Sequence, residues 1–373
     1  MKVLGIDSIL HSICAAVTEG NNVLSNEIRS ISMSLANQSL LSLTKFHIKE
    51  VGEVINTALE KASIHTDDIS LIAVNNLGSL LSNVIIGLAA ANTLSAVKNI
   101  PIISVTHQEG HIFSNWIERN PADFAFPVLV FSASGGHSLT VLISEDNLKF
   151  HTISSFRGIK KSSKSLTEFV GIGFLFSQIV LMLGLSEMKD ERMSDGRFIE
   201  ELAKKGSADE VILISRKRGD CYSLELSLNR LMRNIYRVVR KQRRWRRRLP
   251  EKFIVNIAAS FQKSLAEIIA DYLCWLVQKH KAKEIHLAGG ISANDVIRNE
   301  IAARAEKEGI TVRYPVRKSY CTDNAAMIAV TGYYKFMREP EKYIKQRYLG
   351  VVSDLVLEQV AVDQFIKKYR ILN

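Results

Sequence analysis

The chain has 373 residues, 47% of them apolar and 23% charged, a balance that fits a soluble globular protein and excludes disordered and fibrous classes. That length is long for one domain and comfortable for two, each with its own core. The formal net charge is +11, and the stretch from Leu226 to Pro250, with ten Lys/Arg and no acid, supplies +10 of it, so the basic character is local.

The opening segment, MKVLGIDSILHSICAAVTEG, has one basic residue ahead of a short apolar run that Asp7 and His11 interrupt. No small-residue cleavage site follows, and no signal peptide is expected. Three strands are predicted in succession, KVLGIDS, SICAAVTEG and NVLSNEIRS, with hairpin chemistry in the turn EGNN at 19–22. Val51, Val54, Ile55 and Leu59 then share one face of a predicted helix, and LIAVNN and PIISV read as two further strands. In VTHQEGHIFSNW, residues 105–116, His107 and His111 stand one helical turn apart, so both imidazoles would reach one cation. Alone, the pair reads more readily as two histidines on an ordinary helix, because a divalent site needs a third ligand, usually a carboxylate.

At residue 127 the opening pattern recurs as PVLVFSAS, GHSLTVLISED and LKFHTISSF. The turn SASGGHS, 132–138, would let backbone N–H groups approach an anion, or would simply be a tight hairpin needing positive φ. FVGIGFLFSQIVLMLGL, 169–185, is at the lower edge of a membrane-spanning length and contains Ser177 and Gln178, so a buried core helix is predicted. The basic arm at 231–250 carries Arg240, Lys241, Arg243, Arg244, Arg246, Arg247 and Arg248 around Trp245. A run without compensating acid repels itself, and nucleic acid is the expected partner, with Trp245 stacking on an unpaired base. A solvated charge run is the plain alternative, and an acidic protein or a membrane surface are lesser ones.

A long helix at about 252–279, a strand EIHLAGG, a helix, a strand TVRYP and helices from Asn324 complete the chain. LAGGISAN, 287–294, is a strand–glycine–helix junction of the kind that holds nucleotides, and helix capping by Ser292 or Asn294 is compatible with that role. YCTDNAAMIA, 320–329, sets Asp323 before an Ala-rich helix, either as its N-cap or as a carboxylate able to complete the histidine pair. Cys14, Cys221, Cys274 and Cys321 form no CxxC pair and read as free thiols of a cytoplasmic protein.

The recurrence predicts two similar βββαβαβα lobes, 1–125 and 126–340, the second with a basic insertion at about 226–250, and a helical extension at 341–373. The fold class expected is α/β, the two-lobed actin-like ATPase/sugar-kinase architecture, a duplicated ribonuclease-H-like fold with a ligand cleft between lobes.

HxxxH, a strand–SGGH turn, AGGISAN and CTDNAAMIA, in this order, resemble the tRNA threonylcarbamoyltransferase family (TsaD/Gcp, O-sialoglycoprotein endopeptidase-like) over essentially the whole chain. The resemblance implies an acyltransferase that moves a threonylcarbamoyl group from threonylcarbamoyl-adenylate to N6 of the adenosine beside the anticodon, in tRNAs reading A-starting codons. It implies that His107, His111 and Asp323 hold one divalent metal, iron ahead of zinc, with no organic cofactor. It places Ser134, Gly135 and Gly136 at the phosphate or threonylcarbamoyl end and Asn294, with Gly289 and Gly290 nearby, at the adenosine, and counts Ser132, Ala133 and Gly196, the possible relic of a glycine-rich turn, among the substrate-binding residues. Its partners would be tRNA, the adenylate and small proteins of the same machinery, with no membrane. A catalytic acid or base is not assigned.

The chain also departs from the family pattern. Two acidic positions of the first turn are His11 and Ser12, a glycine-rich turn is LGSLLS at 77–82, and the position matching a ribose-binding aspartate is Ser177. Losing that carboxylate removes a charge-assisted hydrogen bond worth ~1.5–3 kcal/mol. The competing reading is therefore a degenerate relative that binds tRNA or a partner without turning over. With about six arm residues on phosphates, the slope of log K against log salt for tRNA binding is expected between about −4 and −6; a slope near zero removes the nucleic-acid reading.

Overall fold

The computed structural model describes residues 1–31, 40–77, 80–135, 137–145, 148–157, 171–190, 193–211, 223–244 and 248–352. These fall into two units: Met1–Asp123 with Leu148 and the described chain from Pro315, and Phe124–Glu145 with Lys149–Tyr314.

The first unit opens with β1 (Lys2–Ser8), β2 (Ser12–Glu19) and β3 (Asn22–Ser30), then α1 (Leu40–Lys61), β4 (Leu71–Val74), α2 (Leu81–Lys98), β5 (Ile102–Ser104) and the short α3 (His107–Ile112). β1 is central and buried along nearly its whole length, which is why it reads as a continuous apolar run instead of alternating. It pairs antiparallel with β2 and parallel with β4, giving the order β3-β2-β1-β4-β5.

The second unit repeats this plan with β6 (Val128–Ala133), β7 (His137–Ile143) and β8 (His151–Arg157). Helices α4 (Ile172–Leu183), α5 (Asp195–Ala203), α6 (Leu224–Arg243) and α7 (Glu251–His280) follow, then β9 (Glu284–Ala288), α8 (Asp295–Glu306) and β10 (Thr311–Arg313). Its order, β8-β7-β6-β9-β10, matches the first sheet strand for strand, with β6 antiparallel to β7 and parallel to β9. The duplicated α/β topology expected from the sequence is therefore present in each unit. Within residues 169–185, α4 buries Leu175, Phe176, Ile179 and Leu183 in this unit's core, against α7 residues such as Phe261. Residues 169 and 170 lie outside the described residues.

Two boundaries differ from the sequence expectation, the first by only two residues, at Asp123/Phe124 instead of 125/126. The chain leaves the second unit at Tyr314, not at 340, and α9 (Ala326–Arg338) packs on β1, β2 and β4 of the first unit. The reason is close packing: Gly5 of β1 lies against the N-terminal turn of α9, and Gly332 of α9 lies against Ala73 of β4. Of the extension expected at 341–373, the described part holds α10 (Pro340–Tyr343) and then non-helical chain to Val352; residues 353–373 lie outside the described residues.

A Cβ at Gly5 would overlap the Ala325 carbonyl oxygen and stand 2.8 Å from the Ala329 nitrogen. Gly5→Ala is expected to lower unfolding free energy by about 1–3 kcal/mol in urea titrations, through forced separation of β1 and α9. Gly52→Ala, in α1 with no heavy atom within 4 Å, is expected to raise it by about 0.5–1 kcal/mol.

Candidate functional site

The sequence THQE forms a reciprocal capping box: Thr106 Oγ1 accepts from the Glu109 N–H at 3.2 Å, and the Glu109 carboxylate accepts from the Thr106 N–H at 2.8 Å. This nucleates a helix of only six residues, and it fixes His107 and His111 on one face with their rings edge to face at 4.6 Å. Lys335 of α9 clamps α3 by bonding Glu109 at 3.1 Å and the Ser104 carbonyl at 3.0 Å.

At the other end of α9, the cap is Asn324, not Asp323. Asn324 Oδ1 accepts from the Met327 N–H at 3.0 Å, and its amide donates to the Thr322 carbonyl at 2.7 Å. Asp323 is thereby left to turn toward the histidines. Its Oδ1 lies 3.2 Å from His111 Nε2 and 3.4 Å from His107 Nε2, and the three ligand atoms fall within 4.8 Å of one another. Two imidazole nitrogens and one carboxylate oxygen are the donor set that iron(II) and zinc accept, so the residues fit the implied metal.

Sequence reasoning did not assign the residue that orients this set. Asp7, at the end of β1 and fully buried, accepts from His107 Nδ1 at 2.8 Å and from Asn75 Nδ2 at 3.0 Å. A carboxylate behind a histidine fixes its tautomer and turns Nε2 outward, as outer partners of metal-binding histidines do. The available signal was an acid interrupting the apolar strand KVLGIDS. Burial opposes charge on His107, but the Asp7 and Asp323 carboxylates outweigh it and hold its pKa well above the ordinary imidazole value. Asp323 is likewise opposed by burial and overcome by His107 and His111, which hold it well below the usual carboxylate range.

The first turn, where acids are replaced by His11 and Ser12, has its own lock. His47 of α1 is wholly buried, with Nδ1 2.9 Å from Ser8 Oγ and Nε2 3.1 Å from Asn83 Nδ2. Ser8 Oγ in turn donates to the Asn83 carbonyl at 2.7 Å. Burial, then His11, push the His47 pKa down to about 4, so the ring is neutral and donates through Nδ1.

In the second unit, Ser132 and Ala133 end β6, and Ser132 pairs with Ala288 at the end of β9. Gly289 has φ of 73° and packs so closely on Ala133 that a Cβ would stand 2.8 Å from its carbonyl carbon; Gly290 beside it is exposed. Ser134 and Gly135 meet the start of α4, where the Gly173 N–H donates to the Ser134 carbonyl at 3.0 Å and the Ile172 N–H to Ser138 Oγ at 3.1 Å. Those two amides are spent on the turn, so any anion there meets the turn's own backbone. Gly136 lies outside the described residues. Asn294 caps α8, accepting from the Ile297 N–H at 3.1 Å. Gly196 sits in the first turn of α5 beside Asp195, whose carboxylate accepts from Ser177 Oγ and also contacts Lys189.

Of the basic set, Arg240, Lys241, Arg243, Arg244 and Arg248 are exposed, the Arg243 guanidinium reaching toward Gly184 at the end of α4. Trp245, Arg246 and Arg247 lie outside the described residues.

Residues 42–330 match the family model described as tRNA N6-adenosine threonylcarbamoyltransferase. A protein of that name from Thermodesulfovibrio yellowstonii is 29% identical over 96% of this chain and 98% of its own length. Another from Dehalococcoides mccartyi is 31% identical over 95% and 99%. Among solved structures, the activator of the 2-hydroxyisocaproyl-CoA dehydratase from Clostridium difficile is 12% identical with a TM-score of 0.47, covering 95% of this chain and 100% of that one.

Asp7→Asn removes a charge that raises the His107 pKa, so that pKa is expected to fall. An NMR pH titration of the metal-free protein checks it; an unchanged His107 midpoint contradicts the assigned role of Asp7.

Proposed function

The chain belongs to the tRNA N6-adenosine threonylcarbamoyltransferase family, and from that membership we propose that it transfers threonylcarbamoyl from threonylcarbamoyl-adenylate to N6 of the adenosine beside the anticodon, in the cytoplasm and with a divalent metal. In the transfer a bond forms between N6 and the carbamoyl carbon, the bond to the phosphate oxygen breaks, and AMP leaves with its electron pair as N6 sheds a proton. The observation that carries this reading is the convergence of His107, His111 and Asp323 with Asp7 behind them. An idle site has no physical need for three matched ligands and a buried carboxylate orienting one of them. The metal, iron ahead of zinc, would act as a Lewis acid on the carbamoyl carbonyl.

His107 and His111 would hold the cation through Nε2 and Asp323 through its carboxylate. In the second unit, the exposed backbone of Gly135 and Gly290 would receive the adenylate, with Asn294 beside the adenosine. At the altered position Ser177 the hydroxyl donates to Asp195 of the neighbouring helix, a carboxylate that also pairs with Lys189.

Helices α1 and α2 offer a surface for small partner proteins. Leu41, Ile48, Ile85 and Val97 are exposed, and α2 has no charged residue before Lys98 although only 33% of it is buried.

Metal-dependent binding of threonylcarbamoyl-adenylate, abolished in Asp323→Ala together with loss of bound metal by elemental analysis, is the expected result. Because protons compete for a histidine whose pKa is raised, apparent metal affinity should go on climbing above pH 6.5. Fully metallated wild type that binds no adenylate contradicts the reading.

A further inference from the structure

We propose that the outer face of α6 is a docking surface for the phosphate backbone of tRNA, engaged without regard to base sequence. The proposal rests on the reading of the chain as a tRNA-modifying enzyme and goes beyond it in assigning the face and its mode of contact.

Helix α6 has two faces. Leu224, Leu228, Leu231, Ile235 and Val239 are buried at helical spacing in the core of the second unit. On the opposite side Arg233, Arg237, Arg240 and Arg244 are all exposed. They stand at i, i+4, i+7 and i+11, a single straight stripe about 16 Å long with roughly one guanidinium per turn. Arg233 is steadied by donation from Nε to the Asn229 carbonyl at 3.3 Å. Tyr236 flanks the stripe at 39% exposure.

Such a stripe works against its own helix. Like charges at i,i+4 repel by a few tenths of a kcal/mol per pair, and no acid lies between Leu226 and Pro250 to offset them. The charge is thus arranged for a partner. Guanidinium forks match phosphate oxygens, and an evenly spaced row matches an evenly spaced polyanion. An α-helix does not enter the deep, narrow major groove of A-form RNA, so the arginines meet the backbone and read no bases. The stripe takes Arg233 and Arg237 from the first part of the basic arm together with Arg240 and Arg244. Arg243 is exposed as well, but its guanidinium reaches toward Gly184 at the end of α4, to one side of the row.

The test uses the full chain and an unmodified tRNA, with binding measured across a salt series. One variant carries Arg233→Gln, Arg237→Gln, Arg240→Gln and Arg244→Gln. A charge-matched control carries Lys45→Gln, Lys49→Gln, Lys205→Gln and Lys307→Gln, all exposed lysines elsewhere. The stripe variant is expected to bind at least about thirtyfold more weakly near 0.1 M salt, with a log K–log salt slope shallower by about 3. A tRNA of unrelated stem sequence should lose as much, and the control should stay within about threefold of wild type. A double variant, Arg233→Gln with Arg240→Gln, should show about half the slope change and guards against a folding defect, which circular dichroism and adenylate binding also report.

Equal losses in control and stripe variants would overturn the proposal in favour of net charge. Undiminished tRNA binding by the stripe variants would overturn it outright, as would loss of binding to anionic vesicles alone. Wild type that binds no tRNA at all would instead fail the underlying reading of the enzyme.

Discussion

The first unit depends on one buried carboxylate. Asp7 ends the central strand β1 with no solvent exposure, and an unpaired charge there would cost several kcal/mol. The Asn75 amide and the His107 imidazole offset that cost at 3.0 and 2.8 Å. Because the pairing is directional, the position of β1 dictates the ring plane of His107, and through it where Nε2 points. The capping box at Thr106, the Lys335 clamp and the Asn324 cap then bring α3 and Asp323 to that point. Each of these contacts is local, and together they set three donor atoms around one small volume.

The second unit uses the same strand order with different contacts at its turns. Its turn after β6 has glycine backbone where the first unit has the Ser8–His47–Asn83 lock. Gly289 allows the β9 junction to press on Ala133, and Gly173 allows α4 to press on Gly135. The result is a run of backbone at the carboxyl ends of parallel strands, where open α/β sheets bind their ligands. One turn further along α4, Ser177 reaches Asp195. A position that reads as a lost charge in the sequence thus keeps a carboxylate beside it, supplied by α5.

The electrostatics are equally local. The excess of positive charge is concentrated in one short stretch, and the helix that carries most of it buries one face firmly in a core. A row carried on a folded helix needs no backbone ordering to meet a polyanion, unlike a flexible basic tail, and only its side chains have to be fixed. The repulsion within α6 is tolerated because burial of Leu228, Leu231, Ile235 and Val239 holds the helix independently of it.

The sequence by itself determined the strands, the duplicated order and the His107–His111 pair, because apolar periodicity and i,i+4 spacing are properties of neighbouring residues. KVLGIDS is a strand as read, EIHLAGG forms one over Glu284–Ala288, and the long helix expected at 252–279 is Glu251–His280. Only the tertiary structure decided that α9 returns to the first unit, that Asp7 orients His107 from 100 positions away, and that Asp195 stands at Ser177. It also decided that four arginines form one row while Arg243 turns aside. These outcomes depend on close packing at Gly5 and Gly332 and on directional bonds between residues far apart in the chain, which no local pattern of residue types encodes.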